Sequence, residues 1–237
     1  MTEQSSPVVS GNKVRIITKV LTTAIKLWLK TQLSQVSQIE IEIKSSDRQL
    51  LSGCIPGVSI LARDVVYQGL HITQVELWAE NIQVNVSAVL RGKPLRLLHT
   101  VPVTGKLIVT EHDLNYSLSS ELLSTALNDV LVKLLPEHCP NSKSIIWRKI
   151  TLDNDRLLLS GLTTPESEAS LLEVDLGLKL LNGQELQLVK VQIQYNQQAL
   201  LENNSGSSLY LGSDVDIQEI TLIPGRLVCH GQINVNP

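Results

Sequence analysis

Outside two stretches, the apolar residues of this chain recur at every second position. "IEIEIK" (39–44), "HITQVEL" (71–77), "NIQVNV" (81–86) and "QELQLVKVQIQY" (184–195) show it, and "DVDIQEITL" (214–222) reads as a further strand. A period of two places alternate side chains on opposite faces of an extended chain, so each segment predicts a strand with one buried face. "VPVTGKLIVT" (101–110) reads as one long bent strand or a pair. "SIIWRKITL", "DRLLLSGLT", "SLLEVDLGLKLL" and "GRLVCHGQINV" read as further strands. Asn182-Gly183, with alternation on both sides, predicts a tight hairpin turn. The step from Leu186 and Leu188 to Val189, Val191 and Ile193 shifts phase by one, as a β-bulge does. "LRGKPLRLL" (90–98), "PEHCPNSKS" (136–144), "TTPESEAS" (163–170) and "ENNSGSS" (202–208) read as turns or exposed loops.

Two stretches keep a helical period instead. From about Val14 to Val36, Ile17, Val20, Leu21, Ala24 and Trp28 fall on one face, counted at about 100° per residue. Arg15, Lys19, Lys26 and Lys30 gather on the opposite side. From Thr110 to Pro136 the set Leu114, Leu118, Leu122, Leu123, Leu127, Val130, Leu131 and Leu134 predicts a second, more apolar helical stretch. Thr110 caps it with Asp113 three residues on, and Ser119 and Ser120 interrupt it so that a new helix starts. The fold class is therefore α+β: a curved antiparallel sheet or open barrel packed around an N-terminal amphipathic helix and a central apolar helix.

The polar lead "MTEQSSPVVSGN" (1–12) is expected to be disordered, and 13–237 is expected to be one domain. The lead lacks the basic and apolar regions of a secretory signal, and no run reaches the eighteen or so apolar residues that span a bilayer. The expected location is cytoplasmic, or peripheral on the cytoplasmic face of a membrane. Leu, Ile and Val dominate the apolar residues, with no Phe, three Trp and four Tyr. Such an interior fills a core well, and such a wall also suits acyl chains.

Catalytic constellations do not emerge. Glu111, His112 and Asp113 cluster at a helix start, where acids have a capping and dipole explanation. Asp153 and Asp155 flank a turn. Neither a nucleophile elbow nor a Gly-rich phosphate loop is present. Cys54, Cys139 and Cys229 are scattered and odd in number, which reads as reduced thiols with no zinc site. No cofactor is expected, and few aromatics with a net charge of −3 argue against a nucleic-acid platform. "DRQLLSG" (47–53) and "DRLLLSG" (155–161) nearly repeat, but their surroundings differ. The first follows Ser46, with Gln49 three residues on, and reads as a short helical turn closed by Gly53. The second belongs to "ITLDNDRLLLSGLT" (150–163), which aligns without gaps to "ITLIPGRLVCHGQI" (220–233) and reads as one hairpin type used twice at sheet edges.

Charge points to anionic partners. Residues 13–30 carry +5 through Lys13, Arg15, Lys19, Lys26 and Lys30, which leaves −8 for the rest of the chain. Either these cations are simply solvated, or Arg15, Lys19, Lys26 and Lys30, with Trp28 as an anchor, meet an anionic membrane surface. Arg91, Lys93 and Arg96 crowd the turn beside aliphatic strands. They form either a solvated basic turn or the site where an amphiphile's anionic head pairs while its chains bury.

"LLSGCIPGVSI", "VVYQGLHI", "ELWAENIQVNV", "LRGKPLRLLHTVPV" and "VTEHDLN" follow one another in order, and together they resemble the LmeA-like phospholipid-binding family, closest to its cyanobacterial-type members. The resemblance spans roughly residues 13–235. It implies one domain related to tubular lipid-binding folds, with helices packed inside or across a curved antiparallel sheet, and non-enzymatic binding of phospholipid in an apolar groove. It transfers no binding residues. A rival reading is a scaffold or assembly factor that holds a protein partner through a sheet edge or helix face and has a filled interior.

Overall fold

The period-2 segments become eleven antiparallel strands among the described residues, which are 10–44, 49–50, 52–135, 145–163 and 170–237 of a computed structural model. β1 (Gln35–Lys44), β2 (Cys54–Tyr67), β3 (Leu70–Gln83), β4 (Val101–Thr110), β10 (Val215–Ile223) and β11 (Arg226–Val235) form one sheet, in the order β1-β2-β3-β4-β11-β10. β5 (Ile145–Asp153), β6 (Arg156–Thr163), β7 (Ser170–Asn182), β8 (Glu185–Tyr195) and β9 (Gln198–Tyr210) form a second as a simple meander. The architecture is α+β, but the expected single curved sheet or open barrel is corrected to two sheets, neither closed into a barrel. The division has a chain-level cause. The helical stretch after β4 breaks the meander, and β11 returns to pair with β4 along its whole length, from Arg226↔Thr110 to Val235↔Val101.

α1 (Ser10–Gln32) places Leu21 and Ile25 in the core of the first sheet, with Ile17, Val20, Ala24, Trp28 and Leu29 packed around them. The predicted apolar face is therefore the buried one. Its hydroxyls stay inside the helix: Thr23 Oγ1 donates to the Lys19 carbonyl at 2.9 Å and Thr31 Oγ1 to that of Trp28 at 2.6 Å. The helix starts earlier than expected and stops at Gln32 rather than Val36. There the Ser34 N–H goes to the Val66 carbonyl (2.8 Å), and the chain enters β1. Residues 1–9 of the expected lead lie outside the described residues, as do 45–48, 136–144 and 164–169.

α2 (Val86–Val89) is short, and α3 (Glu111–Tyr116) and α4 (Glu121–Leu134) carry out the predicted break. Thr110 Oγ1 accepts from the Asp113 N–H and Ser120 Oγ from the Leu123 N–H, both at 3.2 Å. α4 sends Leu127, Leu131 and Leu134 into the second sheet's core beside Ile150, Leu188 and Ile193. α3 guards a sheet edge. Asn115 exchanges two hydrogen bonds with the Ile150 backbone (2.8 and 2.9 Å), and Glu111 Oε2 accepts the Leu152 N–H at 2.9 Å. Those bonds occupy groups of β5 that would otherwise recruit another strand.

The two aligned segments are equivalent hairpins, β5–β6 and β10–β11, at the sheet edges that meet. Their turns hold left-handed residues at matching places, Asp155 (φ 55°) and Gly225 (φ 74°). The register shifts also match: between Trp147 and Lys149 opposite Gly161, and between Ile217 and Glu219 opposite Gly231. The turns clasp reciprocally, Asp155 N–H to the Leu222 carbonyl (3.3 Å) and Gly225 N–H to that of Leu152 (2.9 Å). A local twofold relating the hairpins produces such a pair. The Asn182-Gly183 hairpin forms as expected, and the predicted bulge appears at Val189–Lys190, with Lys190 at φ 51°.

One expected loop is corrected. "ENNSGSS" lies within β9, where Glu202 pairs with Gln192, Asn203 with Val191 and Ser205 with Val189. Its letters favour a loop, yet an edge strand needs only its neighbour's backbone, and the ladder set by β8 overrides local propensity.

Candidate functional site

Between α1 and the inner face of the first sheet lies a half-open groove of about 800 Å³. Alternation builds it. The rows Ile60 and Ala62 of β2, Val75, Leu77 and Ala79 of β3, and Val103 and Leu107 of β4 all point inward, under Trp28, Leu29 and Leu33 of α1. Two glycines face each other at its floor, Gly105 of β4 opposite Gly231 of β11, with the Leu77 side chain packed close over the first and the backbone of β10 close to the second. β2 lines it from Ile55 to Tyr67, twelve residue steps, which is up to about 40 Å of extended chain. At about 30 Å³ per water-sized group, the space takes roughly 25 methylene-sized units. Lys106 is the one charged residue of the wall. By strand alternation it belongs to the outer row, paired across with Glu76 and His230. The inner surface is in effect aliphatic.

The basic turn borders the groove through apolar residues, and Arg91, Lys93 and Arg96 are not among those that line it. Val84, Leu95 and Leu97 line the groove there, and Arg96 stands exposed between the two leucines. Arg91 and Lys93 are exposed on the same excursion, and none of the three makes an ion pair among the described residues. Sequence reasoning missed the residue that shapes this turn. Asn85 Oδ1 accepts the Arg96 N–H (2.8 Å), its Nδ2 donates to the Pro94 carbonyl (3.0 Å), and its backbone carbonyl receives the Ala88 and Val89 N–H groups. With the Val84↔Leu97 bridge, this staples the excursion to the sheet. An Asn before a short apolar run is the only signal the sequence offers for it.

The residues proposed for a membrane surface are distributed differently. Lys19 and Lys30 are exposed, Lys26 is half-buried, and Arg15 lies early in α1 with its side chain outside the described residues. Trp28 is half-buried and forms part of the groove wall. Ile16 and Leu27 share the outer side of the helix with Lys19 and Lys30.

Cys54 and Cys229 are free thiols, and Cys139 lies outside the described residues. Cys229 lines the groove, and burial pushes its thiol above the ordinary range. Since the thiolate is the nucleophile, a raised thiol is the less reactive form near neutrality. Iodoacetamide at pH 8 is therefore expected to label Cys229 several-fold more slowly than free cysteine, faster as the pH rises, and slower again when the groove is filled. Peptide mass mapping reads each site separately, and labelling that ignores added lipid would place Cys229 outside the binding space.

Among the described residues no group of His, Cys, Asp and Glu is arranged to hold a metal ion, and no helix is long and apolar enough to cross a membrane. The model of the LmeA-like phospholipid-binding family matches residues 13–232. The chain belongs to this family. Searches of curated proteins and of solved structures give no match.

Proposed function

We propose that this LmeA-like protein binds phospholipid without enzymatic turnover. Acyl chains would lie in the groove between α1 and the first sheet, with the anionic head at Arg91, Lys93 and Arg96. The carrying observation is an aliphatic groove of about 800 Å³, bordered by a turn on which three exposed cations have no ion-pair partners among the described residues. Burying one chain of about sixteen methylenes is worth about 13 kcal/mol against water at roughly 0.8 kcal/mol each. Against a bilayer, which is equally apolar, that gain nearly cancels. Contacts to the head then decide whether lipid leaves the membrane, which gives the cations their purpose.

The helices lying across open antiparallel sheets agree with a tubular lipid-binding type of body that works at a membrane face. Lys19, Lys26 and Lys30, with Arg15, would add attraction to an anionic leaflet, whereas Trp28 is turned into the groove wall. A partner-binding scaffold requires a filled interior, and the groove speaks against that rival.

Native mass spectrometry of protein purified without detergent is expected to show bound phospholipid. Changing Arg91, Lys93 and Arg96 together to Gln should lower retention of anionic phospholipid about tenfold, and changing Lys19, Lys26 and Lys30 to Gln should weaken sedimentation with anionic liposomes. Lipid-free wild-type protein that also ignores added phospholipid would sink the reading. Unchanged sedimentation of the lysine variant would leave the α1 stripe as solvated surface.

A further inference from the structure

We propose that the excursion over residues 86–98 is a bilayer-docking wedge, in which Leu90 and Leu98 insert among anionic headgroups while Arg91, Lys93 and Arg96 pair with them. The proposal rests on the reading of the groove as a lipid site and adds how that site meets its source.

The excursion buries Val86, Val89 and Leu95 yet leaves Leu90 45% and Leu98 51% exposed. These leucines are held out by structure. The Leu98 N–H donates to the Gln83 carbonyl (2.9 Å) and the Leu90 N–H to that of Val86 (2.9 Å), and the Asn85 staple fixes the segment between them. Leu90 and Leu98 are thus two large apolar side chains kept at the surface of one well-tied turn, a candidate contact surface.

Charge identifies the cover. From residue 81 to residue 110 the chain holds no Asp or Glu, while Arg91, Lys93 and Arg96 sit among the exposed leucines. Exposed apolar side chains and cations on one acid-free turn match the two layers of an anionic bilayer surface, acyl boundary below and phosphate above. α1 points the same way. Its Leu33 packs at the far end of the groove, with Val65 and Ile72, while Leu21 and Ile25 pack with Val86, Val89 and Leu95. The earlier turns of α1, with Ile16 59% exposed, therefore run toward the wedge. Docking in this orientation presses the cation-bearing end of the groove onto the leaflet.

The test is flotation with vesicles of phosphatidylglycerol and phosphatidylcholine, against phosphatidylcholine alone. Wild-type protein is expected to float with the anionic vesicles. The double variant L90S/L98S should bind them at least tenfold more weakly, with lipid loaded from cyclodextrin and thermal unfolding both unchanged. In L98W, emission from the new indole should be quenched by brominated anionic lipid well beyond the quenching of wild-type protein. Equal flotation of L90S/L98S and wild type, equal binding to neutral vesicles, or no extra quenching in L98W would each overturn the wedge. An acidic protein partner on this patch would show as the first of these. Cyclodextrin loading separates the two proposals, because wild-type protein that floats yet takes up no phospholipid refutes the groove and leaves the wedge standing.

Discussion

Replacing Ala79 with tryptophan is expected to leave the protein folded and at least tenfold poorer in bound phospholipid. Ala79 lies on the inner row of β3, paired with Val58 on one side and Val103 on the other, and its methyl group borders the groove. An indole built there projects into open space, so the overpacking penalty of a filled core does not apply. The ligand loses what the indole takes. Displacing about three methylenes forfeits roughly 2.4 kcal/mol at about 0.8 kcal/mol each. That corresponds to roughly a fiftyfold loss of affinity. Native mass spectrometry gives the occupancy, and thermal unfolding gives the fold. An A79W protein that keeps its full complement of lipid would mean that lipid does not sit in this groove. One that unfolds early would mean that the space around Ala79 is core.

The position of Ala79 also shows where sequence reading runs out. Alternation assigns it to the inner face of a strand, together with Leu77 and Val75, and the structure agrees. Alternation cannot say whether that face meets another side chain or a void, because the requirement on the residue is the same: it must avoid water. The aliphatic bias was legible, but the groove was not. It depends on α1 lying over a sheet whose strands come from both ends of the chain, joined through the β4–β11 register. Local signals fared better. The Thr110 and Ser120 caps, the Asn182-Gly183 turn, the bulge near Lys190 and the buried face of α1 each depend on a few neighbouring residues, and each forms. The division into two sheets and the strand character of "ENNSGSS" depend on partners supplied from elsewhere in the chain. The basic turn was legible as a cluster of charge. Its place at the end of the groove follows from the Asn85 staple and the Val84↔Leu97 bridge.

The paired hairpins set up the second large effect. Gly161 and Gly231 occupy the same place in the two aligned segments, each opposite the register shift of its partner strand. Their surroundings differ. A Cβ on Gly161 would meet Ile145 Cγ2 at 3.1 Å, Trp147 Cε3 at 3.2 Å and the Ile146 carbonyl oxygen at 3.3 Å, the two closest being side-chain atoms that can move by a few tenths of an ångström. A Cβ on Gly231 would meet backbone, the Asp216 carbonyl oxygen at 2.5 Å and Ile217 Cα at 2.8 Å. That backbone has little room to retreat, because the Ile217 N–H is held by the Gly183 carbonyl at 2.6 Å, which wedges β10 between β11 and the β7–β8 turn. Gly161→Ala is therefore expected to cost about 1 kcal/mol, and Gly231→Ala about 3 kcal/mol, near the top of the range for overpacking. In a chain of this size the latter lowers the unfolding temperature by roughly 6–12 °C. Thermal unfolding of the two variants side by side checks the difference. Equal, small shifts would mean that β10 yields freely at its bulge. The close approach at Gly231 would then be a loose contact.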